Sequence, residues 1–174
     1  HLVGVPGFEV HTVAEKDGPS VQPVTPTRFH QLNVVDQFFH TVASPAVAYL
    51  LLLVGLGLLV FELYTAGVGI AGVIGAVSFL LATYGLGVLP ARGWAVGLVA
   101  LAFLGYAIDV QAGVPRTWSV IGTVSLVVGS VFLFDGVSLS WITFGVGVVG
   151  TGMGMVGGMP AMVRTRFSTP TIGR

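Results

Sequence analysis

Glu62 and Asp109 each close an apolar block of sequence, in a 174-residue chain that carries only seven acidic and seven basic side chains. A carboxylate at the edge of hydrocarbon is costly, so it either serves an ion or proton pathway or is satisfied by a partner nearby. Its depth separates the two roles. At the end of a span the carboxylate can reach water, hydrogen-bond the following turn, or pair with Arg116. The structural role is the preferred reading. The alternative is a small transporter or proton-coupled channel that uses Glu62 and Asp109.

Other chemistry is harder to assemble from this sequence. His30 and His40 flank Asp36, but ten residues is nearly three helical turns, which sets the two rings too far apart for one ion, and there is no His-x-x-x-His. No histidine follows His40, so no serine in the apolar part has a histidine to activate it. Lys16 is the only lysine, Tyr106 is not adjacent to Asp109, and no Gly-x-Gly-Asp occurs, so neither a Ser-Lys dyad nor an aspartyl dyad can form within the apolar part. Gly67-Val68-Gly69-Ile70-Ala71-Gly72 has dinucleotide-fingerprint spacing but lies in an apolar run without the strand and acidic ribose partner that give such a loop its meaning. The reading is of no catalytic, cofactor-binding or metal-binding residue.

Glycine offers a different kind of site. Gly150, Gly154 and Gly158 recur at i, i+4 and i+8, with Gly147 and Gly157 nearby, and Gly93 and Gly97 repeat the pattern more weakly. In lipid, apolar burial does not distinguish protein from acyl tails, so close backbone approach is a main source of helix association. Gly147, Gly150, Gly154 and Gly158 are therefore the expected helix-packing residues, within the bundle or against another subunit.

The elements that hold these residues follow from composition. The chain is 54% hydrophobic and 8% charged, with a mean hydropathy of +0.94, whereas soluble domains carry roughly 25% charge. Zero net charge gives no footing for a nucleic-acid partner, and the absence of cysteine removes disulfides and thiolate metal sites. The sequence predicts an all-α polytopic membrane protein, its partner surface the lipid bilayer, with spans at about 46–63, 67–89, 94–110, 118–134 and 141–163. The break between the first two carries no charge, and a re-entrant pair or a tight hairpin fits it equally well.

Residues 1–27 read as an extramembrane tail, with strand-like alternation over Gly7–Val13 and a loop from Asp17-Gly18-Pro19 through Pro23 and Pro26. Residues 28–45 read as an interfacial amphipathic helix, 46–163 as the bundle, and 164–174 as the start of a cytoplasmic linker. Arg116, Arg164 and Arg166 follow odd-numbered spans, so the positive-inside tendency sets the C-terminus in the cytoplasm and, with five spans, the N-terminal segment outside. His1 in place of Met, and an end at Arg174 without a closing element, read as a piece of something longer.

The spans are not independent sequences. Glu62 followed by Val73-Ile74-Gly75-Ala76-Val77-Ser78 recurs, 47 residues on, as Asp109 followed by Val120-Ile121-Gly122-Thr123-Val124-Ser125. That is a duplicated two-helix unit with one acid per copy. Repeats of this kind can frame a transport site at their interface, and they also build passive helical hairpins, which is the preferred reading here.

Taken in order, Ser44-Pro45-Ala46-Val47-Ala48-Tyr49-Leu50-Leu51-Leu52-Leu53, Phe61-Glu62-Leu63-Tyr64-Thr65-Ala66-Gly67-Val68-Gly69 and Tyr84-Gly85-Leu86-Gly87-Val88-Leu89-Pro90 resemble the NfeD family. Asp109 and Gly129-Ser130-Val131-Phe132-Leu133-Phe134-Asp135 continue the resemblance over about residues 44–174, with Asp109 in place of the glutamate the family implies and no Pro-Gly-Phe-Gly-like turn in residues 111–119. The resemblance implies a membrane bundle set between a ClpP-like serine protease domain and a small cytoplasmic OB-fold barrel, whose lead-in residues 166–174 resemble. The family's catalytic serine and lysine would lie upstream of His1, so none is carried over. It also implies an SPFH-domain partner of the stomatin or flotillin type, in a hetero-oligomeric complex of a prokaryotic plasma membrane. The function expected is non-catalytic anchoring and scaffolding, with tethering of an upstream protease as a further alternative.

Overall fold

The computed structural model describes residues 10–15, 18–23, 33–65, 69–112 and 116–167, and divides into a unit ending at Asn33 and a second beginning at Val34. In the first unit β1 (Val10–Glu15) and β2 (Gly18–Pro23) pair antiparallel, from Val10 opposite Pro23 to Glu15 opposite Gly18. The expected strand is therefore present from Val10, while the expected loop is a strand over Gly18–Pro23. A two-stranded ribbon has only edges, and an edge tolerates Pro19 and Pro23 because an outward-facing position needs no N–H donor. Residues 7–9 and 24–32 lie outside the described residues.

The second unit is all α. Helix α1 (Val34–Val42) has Val34, Val35, Phe38, Phe39 and Val42 on one face and Asp36, Gln37, His40 and Thr41 on the other. It covers the later part of the predicted 28–45 helix. Its last turn meets α3 closely: a Cβ on Gly85 would lie 2.7 Å from the Val42 carbonyl oxygen. Phe39 packs edge-on to Tyr84 at 5.0 Å.

Two helical hairpins follow, α2 (Pro45–Thr65) with α3 (Ile70–Val88) and α4 (Gly93–Ala112) with α5 (Thr117–Val131). The uncharged break between the first two spans is thus a hairpin turn, and Gly69 enters α3 at a φ of 82°, a left-handed conformation that glycine adopts without steric cost. The 47-residue offset holds in three dimensions. Gly75 of α3 lies against Leu58 and Leu59 of α2, and its equivalent Gly122 of α5 lies against Ala102 and Tyr106 of α4. With an even number of helices per copy, the two hairpins run in the same direction, as a parallel repeat.

The last span is α6 (Trp141–Gly152), a wide-turned π segment (Met153–Gly158) and α7 (Met159–Phe167). In the π segment the Met159 N–H bonds Gly154 O, five residues back. Four helical stretches are long and apolar enough to cross a membrane, the last of them over Trp141–Val163. The expected fourth span is the exception. Its helix α5 has 15 residues, about 22 Å of rise, against a hydrocarbon core of about 30 Å. Phe132 to Phe134 leave the helix, and Phe134 pairs with Ala91 across the neighbouring loop.

That pairing joins the α3–α4 and α5–α6 loops at one end of the bundle, here the loop end. Arg92 N–H bonds Leu133 O, Asp135 N–H bonds Pro90 O, each at 2.9 Å, and the Arg92 guanidinium meets the Asp135 carboxylate at 2.7 Å. The core between the hairpins is built on Tyr49, Leu52, Val99, Phe103, Tyr106 and Leu126, each no more than 2% exposed. Two hydroxyls tie the copies together: Tyr49 donates to Ser130 Oγ at 2.9 Å, and Tyr64 to Ala107 O at 2.6 Å.

Candidate functional site

Glu62 and Asp109 sit near the C-terminal ends of α2 and α4, at the opposite, acid end of the bundle. Each carboxylate reaches the first turn of the next helix. Glu62 Oε2 accepts from the Gly72 N–H at 3.2 Å, and Asp109 Oδ2 accepts from Ser119 Oγ at 2.5 Å. Residues 72 and 119 are themselves 47 apart, so the two contacts are equivalent. The chemistry compensates for the shorter acid. Glutamate has the extra methylene needed to reach a backbone donor, whereas at Asp109 a serine hydroxyl closes the gap.

The first N–H groups of a helix have no partner within it, and the aligned peptide dipoles favour negative charge there. These acids therefore act as caps delivered from the preceding helix. Gly72 gives Glu62 room, since a Cβ there would lie 3.0 Å from Glu62 Cγ. Around Asp109 the second copy adds polarity: Tyr106 and Thr123 hydroxyls lie 3.1 Å apart, and Thr123 Oγ1 donates to Ser119 O at 2.8 Å. Asp109 Oδ1 is buried and has no hydrogen-bond partner among the described residues. Arg116 is exposed, and among the described residues no ion pair joins it to either acid.

The glycines divide differently from the sequence expectation. Gly147 is in close contact with α2, where a Cβ would stand 2.5 Å from Tyr49 Cε1 and 2.8 Å from Leu53 Cδ1. A Cβ on Gly150 or Gly154 would meet nothing within 4 Å, and on Gly158 only the Met153 carbonyl at 3.9 Å. These three line an apolar groove of about 510 Å³ between α2 and the last span. Gly93 and Gly97 are likewise open. The tight contacts lie inside the hairpins, where Cβ atoms on Gly55, Gly105, Gly122 and Gly129 would lie 2.7 to 2.9 Å from backbone atoms of the partner helix. The repeat was the available signal, because it aligns Gly75 with Gly122.

Asp36 and His40 are one turn apart on the polar, exposed face of α1, and His30 lies outside the described residues. The last span is the least enclosed of the four long ones, with 17% of its residues buried by the chain itself against 33% for α2 and α4. Ile142, Val146, Val149 and Met153 form a stripe at i, i+4, i+7 and i+11 along it, each between 58% and 78% exposed.

The model of the NfeD integral membrane domain matches residues 46–160. A membrane-bound protease of Pyrococcus horikoshii is 27% identical over 101 residues, a match that covers 58% of this chain and 23% of that protein. This chain therefore spans about a quarter of the length of that relative. No solved structure matches it.

Proposed function

Since the chain belongs to the NfeD integral membrane family, we propose that it is a non-catalytic membrane-anchoring and scaffolding domain that assembles with an SPFH-domain protein of the stomatin or flotillin type. The observation that carries this reading is the last span. Its Ile142, Val146, Val149 and Met153 stripe has helix-packing periodicity and no partner helix within the described chain. The capping geometry of Glu62 and Asp109 favours a structural role for both acids over ion handling. The bundle sits in a prokaryotic plasma membrane with its acid end, which carries Arg116 and leads to Arg164 and Arg166, facing the cytoplasm, and the N-terminal segment outside.

Affinity isolation of the chain from native membranes, followed by mass spectrometry, tests the assembly. An SPFH-domain protein should be recovered, and alanine at Ile142, Val149 and Met153 together should lower its recovery at least about tenfold, the loss of roughly 1.4 kcal/mol or more. Recovery without such a protein, or unchanged by the triple substitution, overturns the proposal.

The P. horikoshii relative favours a second reading for the parent protein, in which the bundle tethers a ClpP-like serine protease domain. Sequencing the gene upstream of the His1 codon decides it. A ClpP-like domain with its serine and lysine supports tethering, and its absence removes it.

A further inference from the structure

The α2 helix and the last span touch at Gly147 and then part. From Gly150 onward the glycines have no neighbour across the gap, and the wide turn over Met153–Gly158 lies along the open side. The result is the groove of about 510 Å³, with Gly150 and Gly154 along one wall, Leu53 and Phe61 along the other, and Phe103 and Met155 also lining it. Thr151 carries the one polar side-chain atom among its lining residues. Water gains almost nothing there, since it needs two to four polar partners. Both walls are membrane-spanning helices, so the groove opens onto the hydrocarbon of the bilayer.

Its dimensions select among apolar occupants. The α2 wall runs from Leu50 to Phe61, a rise of about 16 Å, which gives the groove a mean cross-section of about 30 Å². A helix 10–12 Å across needs about 80–110 Å². A single hydrocarbon chain fits where a helix does not enter. We propose that this groove holds one acyl chain of a bilayer phospholipid, retained between α2 and the last span as part of the folded protein. The site is independent of any protein partner and goes beyond the assembly proposed above.

The test is native mass spectrometry of the chain, reconstituted in phosphatidylcholine vesicles and then released into detergent, which strips loosely held lipid. One phosphatidylcholine should remain per chain. Gly154→Leu fills the groove without meeting a neighbouring atom at its Cβ, and should reduce the retained fraction about tenfold. Val120→Leu, on the exposed side of α5, should leave it unchanged. Should Gly154→Leu fail to yield folded protein, Gly150→Val carries the same expectation. The proposal fails if no phospholipid is retained, if only detergent is, or if the groove-filling variants keep it as the parent does. It also fails if Thr151→Cys, in this cysteine-free chain, forms a disulfide dimer in the vesicles, since a second copy would then occupy the groove.

Discussion

At the residue scale, Glu62 and Asp109 differ by one methylene, and each has a donor set at the matching distance. If they are caps, the charge matters less than the acceptor oxygen. Glu62→Ala should lower stability by about 1–2 kcal/mol, as loss of a helix cap does. Glu62→Gln keeps an oxygen for the Gly72 N–H and should forfeit only the charge–dipole part, about 0.3–1 kcal/mol. Reversible unfolding in micelles, followed by tryptophan fluorescence, measures both, and equal losses for Ala and Gln would sink the capping interpretation. Glycine substitutions divide in the same way. Gly122→Ala places a Cβ 2.8 Å from the Ala102 carbonyl oxygen and should cost about 1–3 kcal/mol, as overpacking does. Gly154→Ala meets nothing and should be neutral or slightly stabilising, since it reduces backbone entropy in the unfolded chain. The same unfolding assay distinguishes them.

At the scale of elements, the hairpins could be read from the sequence because a carboxylate interrupting hydrocarbon, repeated with its following helix, is a rare event. Three features could not. Phe132, Leu133 and Phe134 are as apolar as any span, so hydropathy carries α5 past Val131, where the backbone instead turns to pair with Ala91. Glycine spacing in the last span marks a bare helix face but does not say whether protein or lipid meets it. The wide turn leaves no mark in Met153-Gly154-Met155-Val156-Gly157-Gly158 beyond the flexibility of its residues. The short α5 has a measurable correlate. Trp94 packs on Phe132 at 5.7 Å and Trp141 on Phe144 at 6.0 Å, both at the loop end, while Trp118 starts α5 at the acid end. Aromatic rings of this kind settle at the membrane interface. In single-tryptophan variants, lipids brominated near the headgroup should quench all three more strongly than lipids brominated near the chain end. Deep quenching of Trp94 would show that the short helix is sunk within the bilayer rather than matched by local thinning.

At the scale of the molecule, the two copies are joined by few polar links inside hydrocarbon. Tyr49 and Ser130 connect α2 to α5, and a double-mutant cycle on Tyr49→Phe and Ser130→Ala should give a coupling of about 0.6 kcal/mol, up to about 2, the range for hydrogen bonds between membrane helices. The Arg92–Asp135 pair is exposed on both sides, so Arg92→Ala should cost no more than about 1 kcal/mol and should weaken further in high salt. Coupling of the opposite rank would place the joint between the copies in the loops instead of in the core.

The π segment is also a phase dislocation. Each residue advances an α-helix by about 100°, and the segment inserts roughly one residue relative to α-helical winding. Deleting one residue between Met153 and Gly158 would restore even winding and swing Met159, with all that follows it, about 100° around the axis. The compass heading at which the chain leaves the bundle is thus encoded in six consecutive residues, four of them from the pair Met and Gly, and an insertion or deletion there would redirect a fused domain without touching its linker.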